Sequence, residues 1–487
     1  MSGMVFAAMM KRLAAAAGAG VCLCAVAAAQ VQLETASLEL DTGAILDYEE
    51  GRIAVPEARG KPDSRRISIG FRRVAKSADA SGAPVFLLAG GPGGSFNERL
   101  DEGGERQADS VRLINMYRRV GDVVMVDLRG VNLSTPNTLC NGAPNKWRRI
   151  ATRAAFLDVI EDTGRACREK LLKEGFDLTG YTVLEAAQDV LAVADALGYE
   201  KINAAGGSFG SHWGIVLAKY HGERIDRLFL NGIEGLDHTY DDSGAVAQSV
   251  STISRMAETV WGGAFGYAGP LEALTALHGM AGEAPRKAFG LRPFEIENFA
   301  LYGRSYWLGD REGMPDWPRA VADMMDGKVF YHKLARWVMA RRMGLGWDAA
   351  AVGMFDCASG ISEARRAVLM RRPLGAAGSD LEYYDALCRG WDVPMLPPEF
   401  REDFRSDAPT LFINGDIDVS TPLANARQTI ELFENGELIV VEGGSHNVLI
   451  EVLEADEDAA AQIVEWFYSG QRPSFEPLPP LEFTPLK

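Results

Sequence analysis

One short segment constrains this chain more than any other. The β-prone run Lys201 to Ala205 passes through Gly206-Gly207-Ser208-Phe209-Gly210 straight into the helical stretch Ser211 to Tyr220. A strand that turns abruptly into a helix forces the serine between them into a strained backbone conformation. Only small residues two positions before and after it avoid a clash. Gly206 and Gly210 meet that need and leave the Ser208 hydroxyl exposed at a helix N-terminus. The competing reading is a glycine-rich connection with no chemistry, so the rest of the chain must supply or withhold the partners such a serine requires.

Between Ser37 and Leu236, β-rich runs alternate with helical patterns, as expected of a mostly parallel sheet covered by helices. Further strands are predicted at Arg66 to Val74, Val85 to Ala89, Val123 to Asp127 and Arg227 to Asn231, and a sheet-covering helix over Val183 to Gly198. After about Asp241 the strand signal disappears for 165 residues that hold six of the nine tryptophans (Trp261, Trp307, Trp317, Trp337, Trp347, Trp391), which reads as an inserted helical lid. Strand-type sequence returns at Thr410 to Asn414 and Glu437 to Val441, followed by a helix from Glu454 to Tyr468 with an acidic first turn. The expected organisation is an α/β core over residues 30–240 and 406–471, a helical lid over 241–405, and a proline-rich tail over 472–487 lying extended on the surface.

Apolar residues make up 47% and charged residues 24% of the 487, which suits a sizeable core and excludes a disordered or low-complexity chain. The formal charge is −17 and no stretch concentrates basic residues, so nucleic acid is not an expected partner. Lys11 and Arg12 precede a 17-residue Ala-rich run, Leu13 to Ala29, which predicts an export signal peptide over residues 1–29 and a periplasmic or secreted product. Cys22 and Cys24 follow the bulky Val21 and Leu23, which disfavours lipid attachment. The run is short for a membrane span, and no later stretch reaches the roughly 18 apolar residues one needs, so no stable membrane insertion is expected. Losing Lys11 and Arg12 takes the charge to −19.

Outside the leader the cysteines are Cys140, Cys167, Cys357 and Cys388, and export permits disulfides. Three pairings are possible. The sequence-local one, Cys140 with Cys167 and Cys357 with Cys388, closes two loops of about thirty residues, each worth about 3 kcal/mol. Four free buried thiols are the alternative. No C-x-x-C spacing and no His/Cys cluster occurs, so neither a metal site nor a cofactor is expected.

A serine hydroxyl is a poor nucleophile without a base to take its proton and donors to hold the oxyanion. Val85 to Ala89 runs into Gly90-Gly91-Pro92-Gly93-Gly94-Ser95, a loop at a strand's carboxyl end that can present the N–H of Gly91, with the N–H of Phe209 as second donor. It lacks the Gly-Lys-Ser/Thr of phosphate loops and the register of dinucleotide loops. Of the six histidines, His446 in Gly443-Gly444-Ser445-His446-Asn447 lies just beyond a strand, where a loop can lean over the serine. His212 points along the elbow helix and is expected to be packed, and His221, His278 and His332 to be structural or on the surface. His238 is a candidate for substrate contact. The orienting acid falls in Asn414-Gly415-Asp416-Ile417-Asp418, where spacing leaves Asp416 and Asp418 both open. The order serine, acid, histidine is that of α/β-hydrolases.

These segments, with Val126-Asp127-Leu128-Arg129-Gly130, Ser134, Pro136 and Thr421-Pro422, resemble the α/β-hydrolase peptidases of the prolyl aminopeptidase and tripeptidyl aminopeptidase (TAP-like) type over nearly all of the mature chain. The resemblance implies an α/β-hydrolase fold with a helical lid, Asp418 as the acid with Asp416 flanking it, and an exported bacterial enzyme. Two positions depart from prolyl aminopeptidases: Ala89 where they have histidine, and Phe209 where they have Trp or Tyr. Relatives hold the substrate's free amino group with lid carboxylates. None aligns here, and Glu234 is the candidate anchor. Arg129 is expected to bind loop carbonyls rather than substrate.

The expectation is an exported serine hydrolase that releases residues from the N-terminus of small peptides through an acyl-enzyme, with Ser208, His446 and Asp418 as its triad. A carboxylesterase built on the same triad is the main alternative. A non-catalytic exported binding protein is disfavoured because every catalytic part is present.

Overall fold

The computed structural model describes residues 31–140, 152–283, 296, 307–328, 348–371 and 381–486. The leader, His332, Trp337 and Trp347 lie outside the described residues. Among those described, the strands Leu33–Glu39 (β1), Ile45–Pro56 (β2), Arg66–Val74 (β3), Val85–Leu88 (β4), Val123–Val126 (β5), Ile202–Ser208 (β6), Ile225–Ile233 (β7), Thr410–Gly415 (β8) and Gly436–Val441 (β9) form one sheet. Its order is β1-β2-β3-β5-β4-β6-β7-β8-β9. Pairing is antiparallel from β1 to β5 and parallel from β5 through β4, β6, β7 and β8 to β9.

The two faces of the sheet are read off alternate residues, as strand geometry requires. Phe86, Leu88, Val124 and Val126 face the helices Arg153–Lys173, Val183–Ala196 and Phe209–His221. Val85, Leu87, Val123 and Met125 face Gly104–Tyr117, Val448–Ala455 and Ala459–Ser469. Arg129 is fully buried and does what its expected structural role requires. It pairs with Asp189 at 2.8 Å and donates to the carbonyls of Glu57 and Gly180.

Every regular element described between β7 and β8 is helical. The apolar core of this insertion gathers Trp261, Trp307, Met314 and Trp317, and it also takes in Ile417 and Val419, the two neighbours of Asp418. Ser249 of the helix Ser243–Met256 donates to the Asp418 carbonyl at 2.8 Å. The insertion therefore packs directly on the loop after β8, and Val31–Lys487 is one compact unit.

Three expectations need amending. The hairpin β1–β2 was not among the predicted strands. Its polar, half-exposed edge residues hide the alternation, although Ile53 and Val55 carry it. The helix predicted from Glu454 to Tyr468 is two, Val448–Ala455 and Ala459–Ser469. Asp456 breaks the run by accepting the backbone N–H groups of Asp458 and Glu476, competing with the helix as short polar side chains do. The tail is extended but does not merely lie on the surface. Phe483 is buried in the insertion's core, and Thr484 bonds Pro315 and Asp316.

Candidate active site

Ser208 ends β6 and precedes the helix Phe209–His221 with φ 57° and ψ −129°. A side chain at such a positive φ costs of order 1–3 kcal/mol and persists only where the surroundings impose it. Here the glycines impose it. A Cβ on Gly206 would lie 2.5 Å from the Gly210 carbonyl, and one on Gly210 would lie 2.1 Å from the Leu88 carbonyl. Strand and helix can therefore meet at this angle only without side chains at those positions. Ser211, one turn on, donates to the Ser208 carbonyl at 2.6 Å and receives the Glu234 N–H at 2.9 Å, tying the elbow to the end of β7.

The loop after β4 lies against this serine. A Cβ on Gly90 would be 3.2 Å from Ser208 Cβ and 3.8 Å from its Oγ. Gly91, with φ +127°, is next in that loop, and Phe209 opens the helix. Asp127 organises the neighbourhood by accepting from Ser95 Oγ at 2.6 Å, Asn97 Nδ2 at 3.0 Å, Asn132 Nδ2 at 2.9 Å and the Leu133 N–H at 3.0 Å. Burial pushes its carboxyl up to about 6 even against those donors.

His446 Nδ1 lies 3.0 Å from Asp418 Oδ2. Asp418 also accepts from the N–H groups of Ser420 and Thr421, each at 2.8 Å, and from Thr421 Oγ1 at 2.6 Å. It is fully buried, whereas the His446 side chain keeps 22% of its surface exposed, so the imidazole can meet a reactant and the carboxylate cannot. Burial alone would raise the Asp418 carboxyl, but His446 and the Thr421 donors outweigh it and hold it below the ordinary value. Burial likewise opposes a charged His446, yet Asp418, then Glu234 and Glu451, hold it above. Asp416, the other acid of the loop, accepts the Gly443 N–H at 2.7 Å instead.

Gly232 joins the serine and histidine ends of the site. It precedes Ile233, the register partner of Ser208, and a Cβ on it would be 3.3 Å from His446 Nδ1 and Cε1. Asn414 fixes the same corner, accepting the Ile233 N–H at 2.9 Å while its amide nitrogen donates to the carbonyls of Gly415 and Thr421.

Glu234 follows directly. Burial pushes its carboxyl up to about 7 against the pull of His446. Asp356 of the insertion is a second buried carboxylate within its field, raised well above the ordinary range by burial and then by Glu234, while a hydrogen bond from Tyr384 Oη at 3.2 Å pulls the other way. Around them Tyr240 stacks on Tyr384 with ring centroids 4.5 Å apart and meets Cys388 Sγ at 3.4 Å. Both sequence-local disulfides are formed, Cys140 with Cys167 and Cys357 with Cys388, the second adjoining Asp356.

His212 and His238 are held by other parts of the protein. His212 is buried on Gly235 O and Ser359 Oγ, and burial lowers it to about 4. His238, expected near the substrate, is instead buried with Nδ1 accepting the Gly235 N–H and Nε2 on Gln428 Oε1. Both its nitrogens are taken by the protein. The sequence reading missed Asp356, Tyr384, Ser211 and the role of Thr421. Only Thr421 lay within a motif.

Residues 83–260 match the family described as alpha/beta hydrolase fold, and residues 373–476 match the TAP-like protein family. The sheet and these matches give the chain the α/β-hydrolase fold, with similarity to the TAP-like family in its C-terminal part. A stretch of 192 residues of this chain is 28% identical to the serine protease Hip1 of Mycobacterium tuberculosis, covering 37% of this chain and 35% of Hip1. Hip1 of Mycobacterium bovis matches equally. The match thus spans about a third of the length of these curated relatives. Among solved structures, a proline iminopeptidase of Mycobacterium smegmatis aligns at TM-score 0.40 and 15% identity, covering 86% of this chain and 97% of that one. A serine hydrolase of Cycloclasticus zankles aligns at TM-score 0.36 and 14% identity, covering 90% and 100%.

Proposed function

We propose that this α/β-hydrolase is an exported serine peptidase that removes residues from the free N-terminus of short peptides. Ser208 Oγ attacks the scissile carbonyl as His446 takes its proton. Asp418 holds the Nδ1–H tautomer and stabilises the imidazolium, and the N–H groups of Gly91 and Phe209 receive the oxyanion. His446 then protonates the leaving amine, and water, activated by the same imidazole, releases the acyl group.

The observation that carries the N-terminal preference is a pair of carboxylates, the half-buried Glu234 beside His446 and the buried Asp356, whose carboxyl Glu234 helps to raise. Two carboxylates that cannot readily both ionise when empty are suited to a cation, which would let both do so. The ammonium of a free peptide N-terminus is that cation, and Tyr240 and Tyr384 offer an aromatic wall beside it. The serine protease relatives support the peptidase reading, and the two disulfides support export.

The test is the KM of Glu234→Gln and Asp356→Asn for matched peptide anilides with free and acetylated N-termini. The proposal expects KM to rise for the free amine alone. Equal effects on both substrates would remove the ammonium anchor.

A further inference from the structure

The loop that carries His446 is held by a carboxylate outside the serine, histidine and Asp418 chain. Glu451 lies in the first turn of the helix Val448–Ala455 and folds back on that loop. One of its oxygens accepts the Ser445 N–H at 2.9 Å and the other accepts the Ser445 hydroxyl. Ser445 Oγ in turn accepts the Asn447 N–H at 3.2 Å, so both neighbours of His446 are tied to this one carboxylate. Ser445 is fully buried. The start of the loop is fixed separately. Asp416 accepts the Gly443 N–H, while Arg311 of the insertion donates to the carbonyls of Gly443 and Pro479.

His446 is faced by Asp418, Glu234 and Glu451, and Glu451 by Arg311 and Asp418. Asp418 is bound by His446 and Thr421, and Glu234 lies 3.8 Å from His212 Nδ1 and repels Asp356. Glu451 is therefore the one of the three carboxylates that also fixes the path of the loop.

We propose that Glu451 is a positioning residue for His446: its carboxylate sets the loop through Ser445 and, as a charge beside the imidazole, favours the imidazolium formed when Ser208 attacks. The proposal rests on the serine-hydrolase reading above. It assigns Glu451 two separable effects, one geometric and one electrostatic.

Glutamine separates them. In Glu451→Gln the amide oxygen still accepts the Ser445 N–H and the amide nitrogen donates to its hydroxyl, but the charge is gone. In Glu451→Ala both are lost. The measurement is the pH dependence of the rate at which an alkyl fluorophosphonate labels Ser208 in the full mature protein, with Ser208→Ala as control. Glu451→Gln should move the acid limb of the profile to lower pH, and Glu451→Ala should lower the plateau rate by about tenfold or more, because the loop loses both hydrogen bonds that hold His446 in place. A Glu451→Gln profile that coincides with the parent's would overturn the proposal, and this variant keeps the test decisive if Glu451→Ala does not fold. Labelling that persists in Ser208→Ala would instead overturn the serine-hydrolase reading, whatever Glu451 does.

Discussion

His446 Nδ1 and Asp418 Oδ2 lie 3.0 Å apart at the ends of two adjacent strands, β9 and β8, with Thr421 Oγ1 bridging them at 2.6 Å from the carboxylate and 3.1 Å from the ring. The carboxylate is fully buried with four donors, so it cannot turn away from the imidazole without leaving a charge unpaired. Asp418→Asn should keep the fold and lower kcat by about 10⁴-fold, because an amide donating to Nδ1 fixes the wrong tautomer. Steady-state kinetics with a circular dichroism check of folding measure this.

Rate should fall toward acid pH at a higher value than an ordinary histidine would give. Asp418, Glu234 and Glu451 together hold His446 above its usual range despite burial, and the base must be neutral to accept the serine's proton. As pH falls through that raised value the neutral fraction is lost, and kcat/KM with it. Glu234, pushed up to about 7, takes up its proton in the same region. KM for free-amine peptides should therefore rise as pH drops below about 7, and KM for acetylated ones should not.

The elbow, the loop after β4, the acid loop and the histidine loop were legible in the sequence because each is a local pattern of glycine, strand end and reactive residue. The choice of Asp418 over Asp416 was not legible from spacing. It is made by the insertion, whose core takes up Ile417 and Val419 and leaves the side chain between them facing His446. Asp356 was invisible for a related reason. It sits in a π-helical turn, Val352–Asp356, 122 residues from Glu234, and only the packing of the insertion brings the two acids together. The partner of His238 was not legible either, because proximity in sequence to the strand end says nothing of Gln428, which occupies its Nε2.

Arg129 should prove structural. Arg129→Met leaves Asp189 to Arg59 alone and strips the Glu57 and Gly180 carbonyls of their buried donor, a loss of about 2–3 kcal/mol. Chemical denaturation should show that loss, while KM of the protein that remains folded stays close to the parent's.

The disulfide between Cys357 and Cys388 should matter for stability and for the anchor. Its loop of 31 residues corresponds to about 3–4 kcal/mol in the chain-entropy model. Replacing both cysteines with serine should lower the denaturation midpoint and, because Cys357 adjoins Asp356, raise KM for free-amine peptides more than for acetylated ones.

The most direct test of the account is hydrolysis of a matched panel by the purified mature protein: Pro-, Ala- and tripeptidyl-anilides with free and acetylated N-termini, beside short-chain nitrophenyl esters, each repeated with Ser208→Ala. The account predicts turnover of free-amine anilides that is lost on acetylation and falls by about 10⁴-fold or more in Ser208→Ala. Ester turnover without cleavage of any anilide would contradict the peptidase reading, and unchanged turnover in Ser208→Ala would contradict the site itself.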